Sequence, residues 1–169
     1  MGVPVFSPYA EANIPEGTEL VVIGNALSRG NPEVEAVLDA KRRYTSQAAL
    51  LASEFLQDRA SIVVAGTHGK TTTTSMLTHV LRHAGLDPSF LIGGVSLDLG
   101  GSYGLGSGRH FVVEGDEYDT AFFDKTPKFW HYHPRTLLLT SVEFDHADIY
   151  PDLDHIKDVF RTLVREMPA

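Results

Sequence analysis

A chain of 169 residues is long enough for one compact domain with a sizeable core, and 43% hydrophobic with 21% charged residues is ordinary for a soluble globular protein. The formal charge of −8, with no basic run, argues against a nucleic-acid surface. The absence of cysteine excludes disulfides and thiolate metal sites and agrees with a reducing compartment. No basic and apolar leader follows Met1, and no apolar run approaches the roughly 20 residues of a membrane helix. The expected setting is cytoplasmic, with neither membrane nor nucleic acid as partner.

In chain order, residues 1–18 hold three prolines and little periodicity and read as a loop or partial strand. A strand is predicted over 19–23, carried by Leu20, Val21, Val22 and Ile23. Asn31 then has the character of an N-cap, with Pro32 at the first helical position and Glu33 and Glu35 in the first turn. Val34, Val37 and Leu38 give that helix an apolar face, and Lys41, Arg42 and Arg43 sit where the dipole favours cations. A second helix is expected over 46–56. The polar joint at 57–60 predicts a boundary between one unit at 1–57 and another at 58–169.

The most informative stretch follows. Ile62, Val63 and Val64 form a short β-branched run, read as a buried strand. Gly66-Thr67-His68-Gly69 allows a sharp turn, and Lys70-Thr71-Thr72 opens a helix with Met76, Leu77, Val80, Leu81 and Ala84 as its apolar stripe and Gly85 as its C-cap. Strand, glycine turn and helix bearing Gly-Lys-Thr describe a phosphate-binding loop, in which N–H groups at a helix N-terminus face anionic oxygens. Lys70 would reach the β- and γ-phosphates and the Thr71 hydroxyl would ligate Mg²⁺. Val64 stands where the usual loop begins with glycine. The plainer alternative, a glycine-containing turn between strand and helix, leaves Lys70, Thr71 and four threonines at a helix start unexplained.

Beyond Gly85, Asp87-Pro88 marks a turn and Phe90-Leu91-Ile92 a strand. The glycine-rich stretch 100–108 is expected to be a flexible hairpin connection, with a mobile lid as the alternative. Phe111-Val112-Val113 is a buried strand running into Glu114-Gly115-Asp116-Glu117-Tyr118-Asp119. A carboxylate ending an apolar strand is costly unless paired or metal-bound, and ligands of open α/β sheets lie outside the carboxyl ends of the strands. Glu114 is therefore the candidate Mg²⁺ carboxylate, against a solvated turn acid; Asp116 and Asp119 divide evenly between the two readings. Leu137-Leu138-Leu139 is the last strand, ending in Glu143, Asp145, His146 and Asp148. After Pro151 a helix runs over 153–167 with Ile156, Val159, Phe160, Leu163, Val164 and Met167 facing the core. Three strands thus bring Lys70-Thr71, Glu114 and His146 to one edge. His68 lies inside the loop, His79 and His83 are expected in solvent, and His131 and His133 alternate with Trp130 and Tyr132 as on a strand surface. A zinc hydrolase built on His-x-His and a later Asp-His is a rival that needs those ligands to converge and leaves the phosphate loop idle.

With these residues in place, the chain resembles the Mur ligases. Gly66-Thr67-His68-Gly69-Lys70-Thr71-Thr72 is similar to that family's nucleotide loop, which likewise dispenses with the first glycine. Ile23-Gly24-Asn25-Ala26, Ser28-Arg29-Gly30-Asn31-Pro32, the stretch from Glu114 to Lys125, and Glu143-Phe144-Asp145-His146-Ala147-Asp148 resemble the branch that joins a murein tripeptide to UDP-N-acetylmuramate in peptidoglycan recycling. The resemblance implies an α/β fold: a phosphate-loop, mononucleotide-binding parallel sheet belonging to an incomplete central domain (58–169), preceded by part of a Rossmann-like domain that binds the UDP-sugar (1–57). It implies ATP and Mg²⁺ as cofactors, residues 66–72 at the nucleotide, and Lys70, Glu114 and His146 as catalytic, with Thr71, Glu114 and His146 toward metal. It implies UDP-N-acetylmuramate and L-alanyl-γ-D-glutamyl-meso-diaminopimelate as substrates, joined through an acyl phosphate. The alternatives are ligation of L-alanine to the same sugar nucleotide, or a nucleotide-binding fragment without catalysis. Gly115 replaces the branch's usual Ala, Ser141 stands where the family generally has Asn, and Arg161 falls where several members carry a carbamylated lysine, so that last feature is not carried over. Because the family's C-terminal domain completes the amine site, this stretch is expected to bind ATP without ligating by itself.

Overall fold

The computed structural model describes residues 2–144 and 150–168. His146, with Asp145 and Asp148, lies outside them. The first unit is a two-stranded parallel ribbon, β1 (Val21–Ile23) with β2 (Tyr44–Ser46), connected by α1 (Pro32–Asp39). Asn31 caps α1 as expected, its Oδ1 accepting from the N–H groups of Glu33 and Val34. Ile23, Val34 and Val37 form its small core, joined by Phe122 from far along the chain. Strand β2 is an addition to the expected elements: three residues with one buried position carry no readable alternation.

Helix α2 (Gln47–Leu51) is capped by Ser46 and continues as a π-helical turn, Ala52–Leu56, so the expected helix is present but irregular. Its buried residues Ala48 and Leu56 pack into the core of the larger sheet, across the joint expected at 57–60.

That sheet has the order β5-β4-β6-β3-β9. Its strands are β3 (Ala60–Ala65), β4 (Ser89–Ser96), β5 (Gly101–Gly104), β6 (His110–Glu114) and β9 (Thr136–Leu139). All neighbours are parallel except β5, which turns back antiparallel on β4. Two short strands, β7 (Asp119–Ala121) and β8 (Asp124–Pro127), form a separate antiparallel hairpin. Strand β3 is covered on both faces, which is why it reads as a continuous β-branched run. Val63 and Ala65 face a core built with Val113, Phe129, Ile156, Phe160 and Leu163, while Val64 faces a second core with Phe90, Ile92 and Val112.

Helix α3 (Lys70–His83) packs on that second core through only part of the expected stripe. Leu77 and Leu81 contact it, Thr74 and Thr78 are completely buried, and Met76 and Val80 are 64% and 59% exposed. The threonine hydroxyls donate to the carbonyls four residues back, Lys70 O and Thr74 O, which lets them be buried as small β-branched groups. Gly85 closes the helix at φ +73°, as expected. The glycine-rich stretch is a hairpin, but it is packed rather than loose. A Cβ at Gly104 would collide with the Phe90 ring, and at Gly106 or Gly108 with the carbonyls of Asp87 or Leu86.

Residues Lys128–Tyr132 are a 3₁₀ helix and not a strand surface. Phe129 and Tyr132, three apart, are the buried pair, a period of three that alternation cannot reveal. Phe129 stacks on Phe160 at 5.4 Å. The final helix, α4 (Leu153–Arg165), is capped by Asp152 and buries Ile156, Val159, Phe160 and Leu163. Val164 is half exposed and Met167 lies beyond the helix end. Val164 instead lines an apolar cleft with Leu139 and Val142 at the open edge of β9. No helix among the described residues is long and apolar enough to cross a membrane.

Candidate functional site

Strand β3 ends at Ala65 in the middle of the sheet, and the backbone must reverse there to start α3. Gly66 does so at φ +130°, buried against the segment that follows β9. A Cβ at this position would collide with Thr140 Oγ1 and lie 2.8 and 2.9 Å from the backbone O and N of Ser141. The loop is pinned to that segment by several hydrogen bonds. Thr67 N–H donates to Ser141 O at 2.9 Å, His68 N–H to Ser141 Oγ at 3.2 Å, and Glu143 N–H to Thr67 Oγ1 at 2.9 Å. Thr140 Oγ1 donates to His68 O at 2.6 Å. Ser141, the departure from the family's usual Asn, is therefore in contact with the loop through both its backbone and its hydroxyl. Gly69 is the N-cap residue of α3 at φ +78°, and among the described residues no side chain caps that helix start. An uncapped helix N-terminus at a strand end is an anion site in waiting.

A cavity of about 590 Å³ opens above this helix start. Residues 67–72 line it together with Gly93, Glu114, Asp116 and Tyr118, so the loop residues and Glu114 are brought together as the sequence predicts. Glu114 ends β6 and takes part in two hydrogen bonds. Thr71 Oγ1 donates to its Oε1 at 2.9 Å, and Gly93 N–H to its Oε2 at 2.8 Å. A Cβ on Gly93 would sit 2.9 Å from Glu114 Oε1, which accounts for a glycine inside β4.

Three carboxylates follow one another here, and their surroundings differ. Asp116 Oδ2 accepts from Lys128 Nζ at 2.6 Å. Both carboxylate oxygens of Glu117 lie 2.9 Å from Lys70 Nζ, in a pair whose side chains are only 4% and 14% exposed. Glu114 has no ion pair among the described residues, only the hydroxyl and amide donors. It is the carboxylate left to meet a cation. Asp119, by contrast, pairs with Lys125 at 2.9 Å on β7–β8, away from the cavity lining. Tyr150 Oη donates to the Glu117 carbonyl at 2.6 Å. Burial first, and then the Glu117 carboxylate, push that phenol well above its ordinary range, so it stays a neutral donor holding the acidic segment in place.

Lys70, Thr71 and Glu114 thus converge, while His146 falls outside the described residues. His79 and His83 are exposed, and His131 Nε2 lies 2.8 Å from Asp124 Oδ2. Among the described residues no three of His, Cys, Asp or Glu gather in a metal-holding cluster. Sequence reading missed Glu117 as the counter-ion of Lys70, and missed the docking role of residues 140–143. An acidic run of four carboxylates in six residues was the signal for the first; nothing local signals the second.

The Mur ligase middle-domain model matches residues 64–169. The chain belongs to the Mur ligase family. It is 48% identical over 168 residues to the UDP-N-acetylmuramate–L-alanyl-γ-D-glutamyl-meso-2,6-diaminoheptandioate ligase of Haemophilus influenzae, covering 99% of this chain and 37% of that protein. A crystal structure of the same kind of ligase from Neisseria meningitides superposes with a TM-score of 0.90 at 46% identity, covering 96% of this chain and 53% of that one. To the UDP-N-acetylmuramate–L-alanine ligase of Syntrophomonas wolfei it is 38% identical over 170 residues, covering 99% of this chain and 34% of that protein. The chain therefore spans little more than a third of the curated relatives' length.

Proposed function

We propose that this chain is the nucleotide-binding part of an ATP-dependent ligase that joins the carboxylate of UDP-N-acetylmuramate to the amine of L-alanyl-γ-D-glutamyl-meso-diaminopimelate. Its setting is the cytoplasmic recycling of peptidoglycan. The observation that carries the chemistry is the 2.9 Å hydrogen bond between Thr71 and Glu114 beside the Lys70 loop. It brings together a hydroxyl and a carboxylate that has no ion pair among the described residues, oxygen donors of the kind that would hold a divalent ion. The higher identity to the tripeptide ligase, 48% against 38% for the alanine ligase, favours the tripeptide as amine substrate.

The donor set fits Mg²⁺, a hard cation that prefers oxygen ligands. Thr71 and Glu114 would hold it, with His146 a further candidate ligand, and the ion would supply charge neutralisation on the phosphates. The α3 N-terminus orients the phosphates through its amides, and the Lys70 ammonium meets the charge of the γ-phosphoryl group. A carboxylate oxygen of the sugar nucleotide attacks the γ-phosphorus, and the bond to ADP breaks. The peptide amine then attacks the acyl carbon of the resulting acyl phosphate, a mixed anhydride, loses a proton, and inorganic phosphate leaves with formation of the amide.

The test is ligation in a protein of the relatives' length that carries this chain, with tripeptide and L-alanine compared under ATP and Mg²⁺. A UDP-linked tripeptide product seen by mass, at much higher kcat/KM than the alanine product, supports the assignment. Preference for L-alanine moves it to the other ligase, and ATP binding without either product leaves a nucleotide-binding module.

A further inference from the structure

The Lys70 ammonium has three N–H donors, and the structure directs them at three acceptors: Gly66 O at 2.7 Å, Thr67 O at 3.2 Å and the Glu117 carboxylate at 2.9 Å. The side chain is folded back onto its own loop and the charge is met by a buried carboxylate. A phosphate oxygen can reach this ammonium only by displacing one of those partners or by sharing the donor with it. The two carbonyls belong to the loop that binds the phosphates, whereas Glu117 belongs to the segment after β6 and is anchored there by Tyr150. Glu117 is also the charged partner, and a charge-assisted bond is roughly twice as strong as a neutral one.

We propose that Glu117 is a positioning residue of the nucleotide site, one that holds the Lys70 ammonium at the loop when no phosphate is present and competes with phosphate for it. This rests on the nucleotide-binding reading above and goes beyond it, because Glu117 is not itself among the residues that line the cavity and acts on the site through Lys70. The competition has a direction. Taking Lys70 fully away from Glu117 would break an ion pair whose carboxylate is only 4% exposed, which is costly. The carboxylate also repels an incoming polyphosphate. Glu117 therefore weakens polyphosphate binding while keeping the lysine aimed, and its effect must grow with the phosphate charge that Lys70 meets and vanish for a ligand lacking phosphate.

The experiment measures the affinity of this chain for ATP, inorganic tripolyphosphate and adenosine by calorimetry, with Glu117→Gln compared to the unsubstituted chain. Glutamine keeps the shape and an acceptor but removes the charge. It is expected to tighten ATP and tripolyphosphate by about tenfold, the order of one charge-assisted hydrogen bond, and to leave adenosine unchanged. Glu117→Asp, which restores the charge, is expected to return toward the original affinities. Equal changes for all three ligands, or no change for the phosphates, overturn the proposal while leaving the nucleotide site standing. Failure of the unsubstituted chain to bind ATP or tripolyphosphate overturns both readings. A measurement without substitution guards against a variant that does not fold: the Glu117 carboxyl carbon resonance should move on adding tripolyphosphate and stay still on adding adenosine, and a resonance that ignores tripolyphosphate also overturns the proposal.

Discussion

The Thr71 hydroxyl donates to Glu114 Oε1 at 2.9 Å across 43 residues of sequence. This bond ties the first turn of α3 to the end of β6, and it joins the two oxygens proposed above to hold a divalent ion. If they share an ion, the Mg²⁺-dependent part of ATP affinity should depend on both. Glu114→Gln is expected to remove most of the gain that Mg²⁺ confers, about tenfold or more in Kd, while leaving metal-free binding nearly unchanged. Calorimetric titrations with and without Mg²⁺ read this directly. His146→Ala should lower the same gain, and the double variant should be little worse than either, as for residues acting as a unit. Fully additive losses would count against a common site.

The role proposed for Lys70 in binding can be separated from its part in folding. Lys70→Ala removes the charge that meets the γ-phosphate, and ATP affinity is expected to fall at least tenfold, each ~1.4 kcal/mol being one decade. It also breaks the buried ion pair with Glu117, which should cost about 3–5 kcal/mol of stability. Adding Glu117→Gln to Lys70→Ala should recover much of that stability without recovering ATP binding. Denaturant unfolding and calorimetry on the same two variants check the pair of outcomes.

Those two residues also mark what could be read from the sequence. The strand ending at Ala65, the turn at Gly66–Gly69 and the helix from Lys70 were legible because strand, glycine turn and helix start are contiguous. Glu114 was legible because an acid terminates an apolar run. The Lys70–Glu117 pair spans 47 residues, and the docking of the loop on Thr140 and Ser141 spans more than 70, so neither leaves a local pattern. The stripe on α3 was only half right: Leu77 and Leu81 reach the core, Met76 and Val80 do not. Hydropathy favours Met76 and Val80, but the sheet receives the Thr74–Thr78 side, whose hydroxyls are satisfied within the helix. At residues 128–132 a period of two was read where the backbone has a period of three.

The β7–β8 hairpin should be acid-sensitive. Burial pushes the Asp124 carboxyl up, but hydrogen bonds from the Thr126 hydroxyl at 2.6 Å and amide at 3.0 Å, with His131 facing it, outweigh that and hold it below 3.8. A carboxylate with a lowered folded-state value stabilises the fold above its ordinary value, and that contribution is lost as pH falls through the folded value. The hairpin is therefore expected to loosen below about pH 4. Asp124→Asn should be less stable than the unsubstituted chain at neutral pH and should lose less on acidification. Amide exchange at Thr126 across that range tests it; a variant with the same acid slope would exclude Asp124 as the cause.

Gly66 and Gly69 lie three residues apart in one loop, both with positive φ, yet they should respond differently to the same substitution. At Gly69, φ is +78° and no atom lies within 4 Å of where a Cβ would be. Alanine there meets only the left-handed backbone penalty of roughly 1–2 kcal/mol. At Gly66, φ is +130° and the Cβ would collide with Thr140 Oγ1 and press on the Ser141 backbone. The hydroxyl can rotate, but the Ser141 backbone is itself held by the Thr67 amide and cannot withdraw without opening the loop. Gly66→Ala should therefore cost about 3 kcal/mol or more, strain and overpacking together. It should also weaken ATP binding, since α3 would no longer start where the sheet aims it. In thermal unfolding each kcal/mol corresponds to roughly 2–4 °C for a domain of this size, so Gly66→Ala should melt well below Gly69→Ala. Equal melting points for the two would show that the contact with residues 140 and 141 does not hold the loop.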